Sequence, residues 1–280
     1  MKTDTDQLIR ILISEENEAK ETISNANADQ IEFLFKVLAT IRLSLEKHVH
    51  AMRADKSISS AVAAFLFCKV VRTCRATRML CSTGWGIEAE LLLRSGLEAL
   101  INLRYITQQD SEERAILYSE FDHMLAEAYA KRVEQWPDLF KEYDLQQRRQ
   151  EIKENFERVK ANYPVRDFWA GKLIRGGRLR EMAQQVELQW YYDFMYWFAS
   201  NHVHANVRSA LEVMRVTADE KFTYNLGPSN VNTQHALLLA TDFLIQAYQC
   251  IVQFFKLPEE ENIKDLIAGH AAASKKIQTP

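Results

Sequence analysis

No proline stands before Pro137, and apolar residues recur at three- and four-residue intervals through most of that stretch. Proline breaks helices by removing a backbone donor and clashing with the preceding turn, so its absence permits long helices. The period then selects helix over strand, whose side chains alternate every two residues. The clearest stripe is Ile31, Leu34, Phe35, Leu38, Ile41, Leu45, Val49 and Met52. Only eight Gly and five Pro occur in 280 residues, which disfavours a turn-rich β fold, and 47% hydrophobic content is ample for a sizeable core. The expectation is all-α, a multi-helix bundle of long antiparallel helices.

Punctuation divides the chain. A helix from Asp6 to about Ile23 gives way to the polar SNANAD, and a second runs from Ala28 to Met52. Ser59 or Ser60 caps a third that ends at Gly84, and Gly86 opens a fourth that runs to Ile106. Ser111 to Trp136 reads as one helix, and residues 138–162 as a long polar helix that projects, pairs with another chain or lines a rim. Pro164 to Gly177 reads as an ordered loop and Arg178 to Val186 as a short helix. An aromatic-to-polar helix starts at Gln189 and continues to about Val216, Lys221–Asn225 is short strand or loop, and Asn232 to Leu257 closes the core. The expected organisation is an N-terminal helical hairpin over 1–56, a helical core over 57–257, and a short helix and tail over 258–280.

Composition excludes several function classes. A net charge of −3 is not that of a chain whose whole surface is a nucleic-acid footprint, so any anion site is local. Four cysteines without a C-x-x-C pair fit reduced thiols and a cytoplasmic location. No signal peptide or membrane span is expected, because Asp242, Gln246 and Gln249 interrupt the most apolar stretch at helical spacing. No Walker or G-x-G-x-x-G sequence occurs, so no cofactor is expected. No metal is expected either. His48-x-His50 and His202-x-His204 point apart on a helix, and Glu120-x-x-His123 lacks the second pair that a di-iron site needs.

Four constellations carry candidate chemistry. In the fourth helix Glu90, Arg94, Glu98 and Asn102 recur every four residues through otherwise apolar sequence. The row is either a run of surface ion pairs or the lining of an internal polar cleft. In the 189–210 stretch the same spacing aligns Tyr192, Tyr196, Ser200, His204 and Arg208. Metal-independent RNA cleavage needs an imidazole, a guanidinium and a polar orienting group, types that His204 or His202, Arg94 or Arg208, and Ser200 or Asn201 supply. Arg166, Lys172, Arg175 and Arg178 form the densest positive charge, beside Gly176-Gly177, and read as a phosphate-binding loop or a solvated one. Arg72, Arg75 and Arg78 likewise read as a solvated stripe or an anion-facing edge.

RSGLEALINL at 94–103, DFWAG at 167–171 and YWFASNHVH at 196–204 resemble the bacterial domain-of-unknown-function family 5677, over roughly Ser60 to Phe255. The resemblance implies Arg94, Glu98, Trp169, Tyr196, Ser200 and His204 as shared positions and an all-helical fold. That family is similar in outline to HEPN proteins, helical bundles that often act as metal-independent ribonucleases or inactive scaffolds in phage defence and toxin–antitoxin systems. This chain departs from the HEPN pattern, since no arginine stands four to six residues before His202 or His204; Arg42 and His48 match that spacing by chance. The resulting expectation is a homo-oligomer that binds or cleaves RNA, with Arg94, Glu98, Tyr196, Ser200 and His204 catalytic and Trp169 supporting the loop. The alternative is a non-enzymatic interaction or sensor protein in which the same residues form a buried network.

Overall fold

The computed structural model describes residues 5–136, 138, 145–165, 168–174, 178–199, 214–216 and 221–277. In order these form α1 (Thr5–Ala26), α2 (Ala28–Ala54), α3 (Ile58–Ser82), α4 (Gly86–Gln108), α5 (Ser111–Glu120), α6 (Asp122–Gln135) and α7 (Leu145–Val159). A 3-10 turn, Lys160–Asn162, follows, then α8 (Leu179–Gln185) and the single turn α9 (Gln189–Tyr191). That turn widens into a π turn over Tyr192–Tyr196. An antiparallel pair, β1 (Met214–Val216) and β2 (Phe222–Tyr224), precedes α10 (Thr233–Phe254) and α11 (Glu260–Ile277). The chain is an all-α multi-helix bundle.

Helices α3, α4 and α10 pack on one another at the centre, α2 lies on α10, and α11 lies on both α10 and α2. The reason is in their residues: α4 buries Leu93, Leu97, Leu100, Ile101, Leu103 and Ile106, and α10 buries Leu237, Phe243, Leu244, Tyr248 and Ile251. By length and composition alone α10 could cross a membrane, yet 67% of its apolar window is buried within the bundle. Two of its polar interruptions, Asp242 and Gln246, are spent internally, for Tyr191 donates to Asp242 and Gln246 Nε2 donates to the same carboxylate at 2.7 Å.

Several boundaries differ from the sequence reading, each for a local reason. The cap of α3 is Ser57, whose Oγ accepts from the Ser60 amide at 3.1 Å. Glu112 adds a second cap, accepting from the Ile58 and Ser59 amides and so tying α5 to the start of α3. The expected 111–136 helix breaks at Phe121 into α5 and α6. The described part of the polar helix, α7, turns back on α6, because the Arg149 fork grips Glu127 at 2.5 and 3.1 Å and reaches Glu134 at 2.5 Å. Residues 214–216 are strand rather than helix. Cys74, Cys81 and Cys250 are buried, whereas Cys68 is exposed.

Candidate functional site

The site begins at the Ser82–Gly86 turn. Gly84 sits at φ +83°, and its carbonyl accepts from the Ser229 amide at 2.8 Å, so the turn binds the chain that leads into α10. At Gly86 a Cβ would stand 2.2 Å from the Val231 carbonyl oxygen, which only glycine permits. The starts of α4 and α10 are therefore pressed together, and Glu90, one turn into α4, meets the first turn of α10.

Glu90 is buried, with 4% of its side chain exposed, and its oxygens are divided between two partners. Oε1 lies 2.5 Å from Nδ1 of His235, and Oε2 accepts from Asn232 Nδ2 at 3.1 Å. Asn232 holds φ +60°, a conformation that asparagine tolerates and that aims its amide at the carboxylate. A carboxylate on Nδ1 requires the proton there and turns Nε2 away from Glu90. The His235 side chain is 57% exposed and lines a pocket of about 140 Å³ with Glu90, Asn232, Phe194, Met195, Phe198 and Leu239. Behind the carboxylate, burial and the Glu90 charge push the Cys81 thiol up to about 12, so it offers no thiolate at neutral pH.

The rest of the α4 row is also engaged, Arg94 and Asn102 by other elements and Glu98 within the helix. Arg94 donates to Tyr196 Oη at 2.5 Å, and its guanidinium carbon lies 4.0 Å from the centre of the same ring. Its Nε is 3.6 Å from Glu98. Asn102 donates to the Glu98 carbonyl at 2.7 Å and accepts from Trp169 Nε1 at 2.6 Å. Trp169 is 5% exposed, with the rings of Tyr105 and Tyr118 edge-on to it. The row is thus a seam inside the bundle, with polar groups of α4 matched to α10, to the π turn and to the tryptophan loop.

The π turn shapes the facing surface. Tyr192 and Tyr196 stack at 4.5 Å, and burial together with the neighbouring Tyr196 raises the Tyr192 phenol, against the lowering effect of Arg94. On the other side Trp190 and Phe194 stack at 5.8 Å, and both are exposed. Arg180 pairs with Asp193 through both carboxylate oxygens at 2.7 and 2.9 Å.

The structure brings Arg94, Glu98 and Tyr196 together and seats Trp169 on the same helix through Asn102. Lys172 and Arg178 are exposed, the latter at the start of α8. Ser200, Asn201, His202, His204, Arg208, Arg166 and Arg175 lie outside the described residues. Arg42 and His48 have other partners, Glu46 at 2.8 Å and Glu259 at 2.7 Å. Glu120 and His123 both meet Arg158. Among the described residues no three His, Cys, Asp or Glu side chains gather as a metal-binding group. Sequence reasoning singled out Glu90 but missed Asn232 and His235; the available signal was a carboxylate in a buried row, which demands a donor from elsewhere.

A family model described as a family of unknown function, DUF5677, matches residues 60–222, more than half of the chain. The chain belongs to this family. The DUF5677 match takes in α3 to α8, the tryptophan loop and the π turn, and so includes Glu90, Arg94, Glu98, Trp169 and Tyr196; Asn232 and His235 lie beyond it. Its end at 222 falls short of the Phe255 to which the sequence resemblance extends. No curated protein and no solved structure matches the chain.

Proposed function

We propose that the chain binds single-stranded RNA beside the aromatic edge of the 189–199 segment and cleaves it without a metal, with His235 as the proton-transferring group. The observation that carries this reading is the Glu90–His235 pair opening on a pocket walled by Phe194 and Phe198. A buried carboxylate fixes the ring through Nδ1 and leaves Nε2 to take a proton from a hydroxyl. On RNA, Nε2 removes the 2′-OH proton and the 2′-oxygen attacks the adjacent phosphorus. The bond to the 5′-oxygen breaks, and that oxygen takes up a proton, leaving a 2′,3′-cyclic phosphate and a 5′-hydroxyl. Arg94, about 6 Å along α4 from Glu90, is the cation for the developing phosphorane charge, and exposed Trp190 and Phe194 are platforms for unpaired bases. The reading keeps the metal-free chemistry implied by the HEPN likeness and moves its imidazole from His204 to α10.

A second reading, a non-enzymatic interaction or sensor protein, is favoured by a different observation: Arg94 and Asn102 are already used in contacts between elements, and Glu98 is paired with Arg94 on the same helix. A panel of single-stranded RNAs incubated with the protein in a chelator separates the two. The first reading expects cyclic-phosphate products from the parent protein and none from His235→Asn, whose amide can still donate to Glu90, at an unchanged melting temperature. An inert parent, or a variant that cleaves at the parental rate, supports the second.

A further inference from the structure

Two uncovered faces of opposite charge belong to this one chain. From Gln7 to Glu18 every residue of α1 is exposed, including Leu8, Ile9, Ile11, Leu12 and Ile13. The helix is anchored only near its far end, where Ile23 is buried and Ser24 Oγ donates to the Ser82 carbonyl at 3.0 Å. Exposed aliphatic residues on one projecting helix mark an interaction face. The second face is a groove of about 540 Å³ between α2 and α3, with Phe35, Leu38, Leu45, Phe67 and Val71 among its walls. Arg42, Arg72 and Arg75 also line it.

The charges match. α1 carries five acids (Asp6, Glu15, Glu16, Glu18 and Glu21) against Arg10 and Lys20, whereas α3 carries Lys69, Arg72, Arg75 and Arg78 and no acid. Arg42 is paired with Glu46 at 2.8 Å and Arg78 lies over the Phe35 ring, which leaves Arg72 and Arg75 for the acids of an incoming helix. The chain's own α1 is held away from the groove. Asn27, at the α1–α2 junction, is buried and donates to the Ile23 carbonyl at 2.7 Å and to Asn230 at 2.8 Å, fixing the angle between the two helices. We infer that the occupant is α1 of a second copy, and that two chains exchange these helices reciprocally. An exchange of identical elements closes as a two-fold dimer and leaves neither face uncovered.

Sedimentation velocity on the full chain, with charge reversals as the control, tests this. The parent is expected at about twice the 32.5 kDa chain mass. Leu8→Asp with Leu12→Asp, both at exposed positions, is expected at the mass of one chain. Arg72→Glu with Arg75→Glu is expected at the mass of one chain at low salt, where acids face acids unscreened, and adding Glu15→Arg with Glu16→Arg restores the dimer. A monomeric parent overturns the inference. So does a dimer lost through α1 but indifferent to Arg72 and Arg75, which points to α1 pairing with α1. If the arginine reversal abolishes RNA retention without changing the mass, the groove is a nucleic-acid face and the inference also fails.

Discussion

The two ends of the α4 polar row are built from similar residue types and treated oppositely. At the far end Asn102 is closed beneath Trp169, and Tyr105 and Tyr118 complete an aromatic box. At the near end Glu90 is buried more deeply than the partly exposed Asn102, but the group it holds, His235, faces a pocket and solvent. Arg94 stands between them, half engaged with a ring and a hydroxyl. A buried polar group must be matched, and both ends obey that rule. The difference lies in what the match leaves over: nothing at Asn102, and one ring nitrogen at His235. On the proposed function, stability and chemistry share a single helical row and meet at Arg94.

Graded substitutions along the row should break this contrast if it is wrong. Trp169→Ala removes a buried indole and orphans Asn102, so a loss of about 3–5 kcal/mol is expected in urea unfolding. A loss under about 1 kcal/mol would mean that the far end is not the structural one. Tyr196→Phe removes one hydroxyl and keeps the ring under the Arg94 guanidinium, and about 1 kcal/mol is expected by the same measurement. At the near end His235→Asn should change stability least, by roughly 0.5 kcal/mol or less, because the ring is mostly exposed and the new amide can still donate to the buried Glu90 carboxylate in place of Nδ1.

Much of the fold was legible because long helices write their period into sequence. The α2 stripe and the α4 segment gave those elements nearly to the residue, and the four-residue recurrence of Glu90, Arg94, Glu98 and Asn102 singled out the row while leaving open whether it was a run of surface ion pairs or a cleft lining. What it did not reveal was the set of partners. His235 stands 145 residues from Glu90, and only the close approach of the Gly84–Gly86 turn to the α10 lead-in brings them together. No helical spacing encodes such a meeting. The π turn was equally hidden, since a widened turn depends on backbone hydrogen bonding and leaves no residue signature at Tyr192–Tyr196. The polar helix read as one that projects, pairs with another chain or lines a rim because its docking on α6 relies on an ion-pair fork, which hydrophobic periodicity does not report.

The most direct test of the account is the tautomer of His235, read from long-range nitrogen–proton couplings of the imidazole at a pH where the ring is neutral. The account predicts a proton on Nδ1, held by Glu90, and a bare Nε2 whose resonance moves when single-stranded RNA is added. A proton on Nε2, or a resonance indifferent to RNA, would contradict it.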